Sequence, residues 1–432
     1  MLTSLVAVRN ALQKSTYQHT PFILSLMDNG KNRPFGTRPK TRLSFGQYES
    51  DHPGLGKRLS PFETSKLPSE EALRPLLLDD LQAIRRKSSL RDSNATQPSA
   101  NTTGLADDEL ALLNGLADPE AEIDSADLLS FPSPSLDKIC SGSKFQYDDQ
   151  IRETKTVATV LRRDTLLDLQ HSNEGTTFTT LLSGALVWFI WPSTKHNLDV
   201  LQKFYEDLIA EPNENKTHAA NELEGGVSFV QSIGEAVRIP PFCLVLCLSL
   251  KTSVLATYSV VTQTQLADML SKLPLLVTWF ETETDGESKR RDFTLAFLPH
   301  MAAILEGRYE SVDPMKFKFP GPAEGPLRSL LGSWDDIKSS VARILDPAES
   351  EQLVVMWNEF LRKASGRKCW ICGEEIRNKL RDLHSHFDTK HWTKNESVTA
   401  NDNAEYPKGE GRQSVPTSTP EGSDPDAMEV EA

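Results

Sequence analysis

The sequence predicts an all-β barrel or sandwich of short strands at the centre of the chain. A mostly disordered N-terminal tail precedes it, and helices extend it toward a small metal-binding module. Three observations predict this. Between about 153 and 262, β-branched and aromatic runs recur with turn residues between them. From about 263 to 362 the apolar spacing becomes helical. Beyond that, Cys369-Trp370-Ile371-Cys372 is followed by a cluster of histidines.

Each element follows from its residues. Residues 1–150 are rich in Pro, Ser, Asn, Asp and Gly, are poor in aromatics and keep no period, so they are expected to be largely disordered. Within them, Asp107 to Leu116 (DDELALLNGL) has helical character, with acids at its start, and is expected to be a transient or partner-binding helix. The domain at 151–262 opens with the alternating run ETKTVATVLRR. The run TFTTLLSGALVWFIWP is broken at Ser183-Gly184, VSFVQSIGEAVRIPP turns at Gly234, and CLSLKTSVLATYSVV turns at Lys251-Thr252. Asn197 to Leu208 carries helical spacing between them. Four helical runs fill 263–364, the last entered through Asp346-Pro347. Residues 397–432 hold 8 acids and 2 bases and read as a disordered acidic tail.

Composition bounds the function. The chain has 432 residues, 47 Lys and Arg against 61 Asp and Glu, and a net charge of -14. That balance argues against a protein that coats nucleic acid along its length, while leaving room for a local basic face. Five cysteines in a chain this long suggest thiols rather than a disulfide framework, and hence a reducing, intracellular setting. No signal peptide is expected from the opening residues. The most apolar run, Phe242 to Leu250, is too short to span a bilayer, so no membrane association is expected.

The centre of the chain resembles a known family. Leu181 to Tyr205 (LLSGALVWFIWPSTKHNLDVLQKFY) looks like the strand, Pro turn and helix of Jumonji-C (JmjC) proteins. Leu223 to Pro241 (LEGGVSFVQSIGEAVRIPP) resembles that family's Gly-acid turn, strand and Ile-Pro-Pro. The resemblance covers about 155–262 and implies a cupin fold, a double-stranded β-helix. It also implies a site for iron(II), held by two His and one carboxylate, and a Lys for 2-oxoglutarate. At the family spacing these positions fall on His171, Asn173, Val245 and Leu186. Only His171 retains a ligating side chain of the required type, so the resemblance implies a degenerate site in which Fe(II) and 2-oxoglutarate are not held.

Cys369, Cys372, His386 and His391 follow C-x2-C-x13-H-x4-H, a spacing that suits a tetrahedral zinc with two thiolates. His384 lies two residues before His386, about 200° round a helix, and is excluded. The pattern resembles a C2H2 finger (ββα) with one extra residue, over 365–396. Its expected core is Ile376, Leu380 and Leu383, so metal should govern its folding. Segment 361–394 holds nine bases and four acids, and Arg377, Lys379 and Arg381 are the candidate contacts to nucleic acid. A protein-binding finger is the alternative. Cys140, Cys243 and Cys247 read as structural.

Taken with the resemblance, these residues suggest a non-catalytic scaffold with protein partners. Its nuclear, chromatin-associated placement rests on the family and the finger. The competing expectation is an Fe(II)/2-oxoglutarate dioxygenase, a demethylase or hydroxylase with an atypical metal site. A third is a barrel that binds an organic ligand without metal.

Overall fold

The computed structural model describes residues 57–59, 68–92, 106–140, 144, 147, 150–210, 217–262, 265, 269–283, 285–308, 325–362, 368–375 and 386–392. Strands are β1 (Lys57–Leu59), β2 (Leu128–Pro132), β3 (Gln150–Glu153), β4 (Val157–Leu161), β5 (Leu166–His171), β6 (Thr176–Ser183), β7 (Leu186–Trp191), β8 (Val227–Gln231), β9 (Ala236–Ile239), β10 (Leu244–Ser249) and β11 (Ser253–Thr262). Helices are α1 (Glu70–Asp92), α2 (Asp107–Asn114), α3 (Pro134–Cys140), α4 (Lys195–Ala210), α5 (Leu273–Thr282), α6 (Gly286–Leu305), α7 (Gly325–Ile344) and α8 (Pro347–Arg362).

The strands form two sheets whose pairings are all antiparallel. One runs β1-β9-β6-β11-β4-β2 with β3 beside β11, and the other runs β5-β10-β7-β8. From β4 onward every link between consecutive strands crosses from one sheet to the other, except β7 to β8. Gly184 makes the tight turn between β6 and β7 at φ +90, where a Cβ would come 2.7 Å from the Thr252 carbonyl oxygen.

Side-chain alternation sorts three cores. Leu161, Leu181, Leu186, Val245, Cys247 and Leu255 pack between the sheets. On the far side of β10 and β7, Leu244, Leu246, Val187 and Phe189 face α4 to α8. Both faces of these strands are therefore buried, and this is why they read as continuous apolar runs. Ala158, Val160, Val254 and Ala256 on the outer face of the first sheet meet α1 to α3. The result is helix, sheet, sheet, helix.

The expected strands at 153–262 and the helices beyond are present, with β5 an addition. The expectation of a largely disordered 1–150 does not hold for 68–92 and 106–140. Leu73, Leu77 and Leu81 of α1 and Leu112 and Leu113 of α2 are buried together against the sheet. The helix at 107 is thus occupied by the molecule itself rather than presented to a partner. Among the described residues no helix is long and apolar enough to cross a membrane. The acidic tail at 397–432 lies outside the described residues.

Candidate functional site

The knuckle Lys368–Glu375 closes through a bridge between its ends and a hydrogen bond from the Gly373 amide to the Cys369 carbonyl at 2.8 Å. Gly373 sits at φ +75, a left-handed conformation that suits glycine. This turn aims both thiols to one side. The Cys369 Sγ also accepts the Ile371 amide at 3.4 Å.

Histidines 386 and 391 come from a π turn, Phe387–His391. In an α-helix, residues five apart lie about 140° apart round the axis, so H-x4-H would not face one point. The wider i→i+5 turn brings both rings to the same side. The four ligand atoms of Cys369, Cys372, His386 and His391 then lie within 4.8 Å of one another. The Cys369 Sγ is 3.6 Å from the His391 Nε2, and the Cys372 Sγ is 3.4 Å from the His386 Nε2. Among the described residues, this is the one His, Cys, Asp or Glu group of three or more able to hold a metal ion.

The surroundings fit a cation. Burial pushes the Cys369 thiol up to about 11, so a thiolate there needs a positive partner. The His391 Nδ1 meets the Asp335 carboxylate at 3.0 Å, which leaves its Nε2 for the metal. Burial works against the Asp335 charge, but the hydrogen bonds from His391 and Lys338 hold its carboxyl below the usual range. The Lys338 Nζ also donates to the Lys390 carbonyl at 3.1 Å, and the Trp334 Nε1 donates to the His391 carbonyl at 2.9 Å.

These contacts extend to an aromatic core shared with the helical layer. Trp370, Phe387 and Trp392 pack in one cluster with Trp334, Trp357 and Phe360 of the helical layer. Trp334 and Trp357 have ring centroids 4.5 Å apart, and Phe387 stacks on Trp357 at 5.4 Å. The finger core residues Ile376, Leu380 and Leu383, the excluded His384, and the candidate nucleic-acid contacts Arg377, Lys379 and Arg381 lie outside the described residues.

The second candidate was the interior of the sandwich. A cavity of about 270 Å³ opens there, bordered by His171, Asn173 and Val245, while Leu186 is buried in the inter-sheet core without lining it. Directly opposed residues of an antiparallel pair share a face. Gln170 opposes Val245, and His171 opposes Leu244, whose side chain faces the helices. The His171 ring accordingly turns to that side. Its Nδ1 meets the Tyr205 hydroxyl at 2.9 Å, and it stacks on Phe242 and meets Trp279 edge-on. Phe242 takes φ +55, an uncommon backbone state for a bulky residue, in placing its ring there. Burial pushes His171 down to about 4 and raises Tyr205 above its ordinary value. The Asn173 amide donates to Ser259 at 2.8 Å and Thr177 at 3.2 Å. The donors present do not fit an iron site of two imidazoles and a carboxylate. No alternation signal in the sequence marked Gln170 as the inward residue, because a bulge shifts the register between Val245 and Cys247.

No protein-family model and no curated protein matches the chain.

Proposed function

We propose that the chain is a non-catalytic interaction scaffold. In this reading its sandwich is a JmjC-like double-stranded β-helix without iron chemistry, and a structural zinc pins its C-terminal segment. The observation that carries the reading is the Cys/His group with Asp335 behind His391. Zinc at about 2.3 Å from sulfur and about 2.0 Å from nitrogen sets tetrahedral S···N edges near 3.5 Å. The two observed edges are 3.6 and 3.4 Å. All four positions come from protein, as in structural rather than catalytic zinc sites.

The strand order supports the β-helix reading, since from β4 onward strands joined in sequence alternate between the two sheets, β7 to β8 apart. Against iron and 2-oxoglutarate stand Leu186, Val245 and Asn173 at the family positions, and a His171 ring engaged with Tyr205. Protein partners follow from a scaffold role. A nuclear, chromatin-associated place and a nucleic-acid contact rest on the family resemblance and on the basic residues around the metal ligands.

Purified full-length protein given iron(II) and 2-oxoglutarate is expected to release no succinate. Succinate release that disappears in His171→Ala would restore the dioxygenase reading and remove this one.

A further inference from the structure

The cavity bordered by His171 and Val245 has a polar end that neither the scaffold reading nor the metal centre uses. Inward positions on β6 read Leu181, Thr179, Thr177, and those opposite on β11 read Leu255, Thr257, Ser259. Both strands therefore change from aliphatic to hydroxyl at the same rung. The deep end is closed by leucines in the inter-sheet core.

These hydroxyls are paired but retain bonding capacity. Thr257 donates to the Thr179 hydroxyl at 3.0 Å, so the Thr179 proton remains to be given to an acceptor. The Asn173 amide spends its protons on Ser259 and Thr177, which leaves its Oδ1 as an acceptor at the mouth. One wall is the ring of Trp188, fixed by a 2.7 Å hydrogen bond from its Nε1 to Gln231. Ile239 and Val245 continue that apolar wall.

Charge narrows the occupant. Among the described residues no Lys or Arg lines the cavity, and Glu174 is the one Asp or Glu that does. The His171 ring is committed to Tyr205. An anion would lose its water without gaining a cation, which is costly. At about 270 Å³ the space falls just below the roughly 300 Å³ at which pockets for drug-sized ligands begin. Apolar walls with a few convergent polar groups are the usual make-up of a small-molecule site.

We infer that this cavity binds a small, neutral, hydroxyl-bearing molecule of monosaccharide size or less, stacked on Trp188 and held by Thr179 and Asn173. The inference goes beyond the scaffold role and is independent of the zinc.

Saturation-transfer NMR on the full chain tests it with four probes: D-glucose, glycerol, 2-oxoglutarate and ethanolamine. D-glucose or glycerol gives a signal in the wild type. Thr179→Val, which keeps the side-chain shape, loses that signal at an unchanged unfolding temperature, and Glu174→Gln keeps it. Thr257→Val is the second variant and weakens the same signal if Thr179→Val does not fold. Silence from both neutral probes overturns the inference while leaving the scaffold reading standing. A signal that survives Thr179→Val and Thr257→Val also overturns it. Ethanolamine binding in preference, lost in Glu174→Gln, assigns the cavity to amines instead. Preferential binding of 2-oxoglutarate overturns the inference and counts against the non-catalytic reading as well.

Discussion

Asp335 lies 56 residues from His391, yet it determines which ring nitrogen of that histidine faces the thiols. Partners of this kind fix the tautomer and raise ligand basicity, and their loss commonly weakens metal binding about 10–100-fold. Asp335→Asn is expected to weaken zinc affinity within that range, read by competition with a chelator; unchanged affinity would remove Asp335 from the site. His171 makes a separate prediction. Its ordinary value is 6.5 and its folded value is about 4, because burial disfavours the charged ring. Between those values the unfolded chain binds a proton that the folded chain does not. Stability therefore falls as pH drops from 6.5 to 4, by an amount on the order of 3 kcal/mol. His171→Gln is expected to flatten the slope of unfolding free energy over that window relative to the wild type. An identical slope would contradict the neutral, buried assignment. The grouping of Cys369, Cys372, His386 and His391 was legible in the sequence because their spacing is local. Asp335 and Tyr205 were not, because distant chain segments bring them to their histidines.

At the scale of elements, β4 and β6 to β11 were readable because β-rich runs and turn residues agree, while β5 was not. The region before them was misread for a physical reason. Averaged over 150 residues the composition is polar, and that average conceals Leu73, Leu77 and Leu81, one helical turn apart on α1. Asp80 locks that helix to the start of α3. Its buried carboxylate accepts from the Ser133 hydroxyl, and from the Ser135 amide and hydroxyl at 3.1 and 2.7 Å. Asp80→Ala removes the acceptor of three buried or half-buried donors and is expected to cost about 1–3 kcal/mol in denaturant unfolding. A cost near zero would mean that α1 does not dock in solution. The π turn is the element the sequence concealed most fully. H-x4-H gives no sign of it, since five-residue spacing converges only through the wider turn.

Across the whole molecule, two helical layers cover a two-sheet sandwich, and the Cys/His group able to hold a metal belongs to one of those layers. Trp334 is fully buried, stacks with Trp392 and donates to the His391 carbonyl. Trp334→Ala is therefore expected to cost about 3–5 kcal/mol and to weaken the metal site as well. By the same packing, a peptide of residues 361–396 lacks Trp334, Trp357 and Phe360. It is expected to stay largely unfolded by circular dichroism when zinc is added, unlike an autonomous finger. Helix gained by that peptide with one equivalent of zinc would return the finger to independence. The overall order of β centre, helices and Cys/His module was readable from pattern. The shared aromatic core was not, since Trp334 and Trp357 carry no local sign of what covers them. The most direct measurement is the zinc content of purified full-length protein and of two variants, His391→Ala and His384→Ala. One zinc per chain is expected in the wild type, retained in His384→Ala and lost in His391→Ala together with a lowered unfolding temperature. Zinc retained in His391→Ala, or a metal-free wild type that unfolds at the same temperature with and without added zinc, would contradict it.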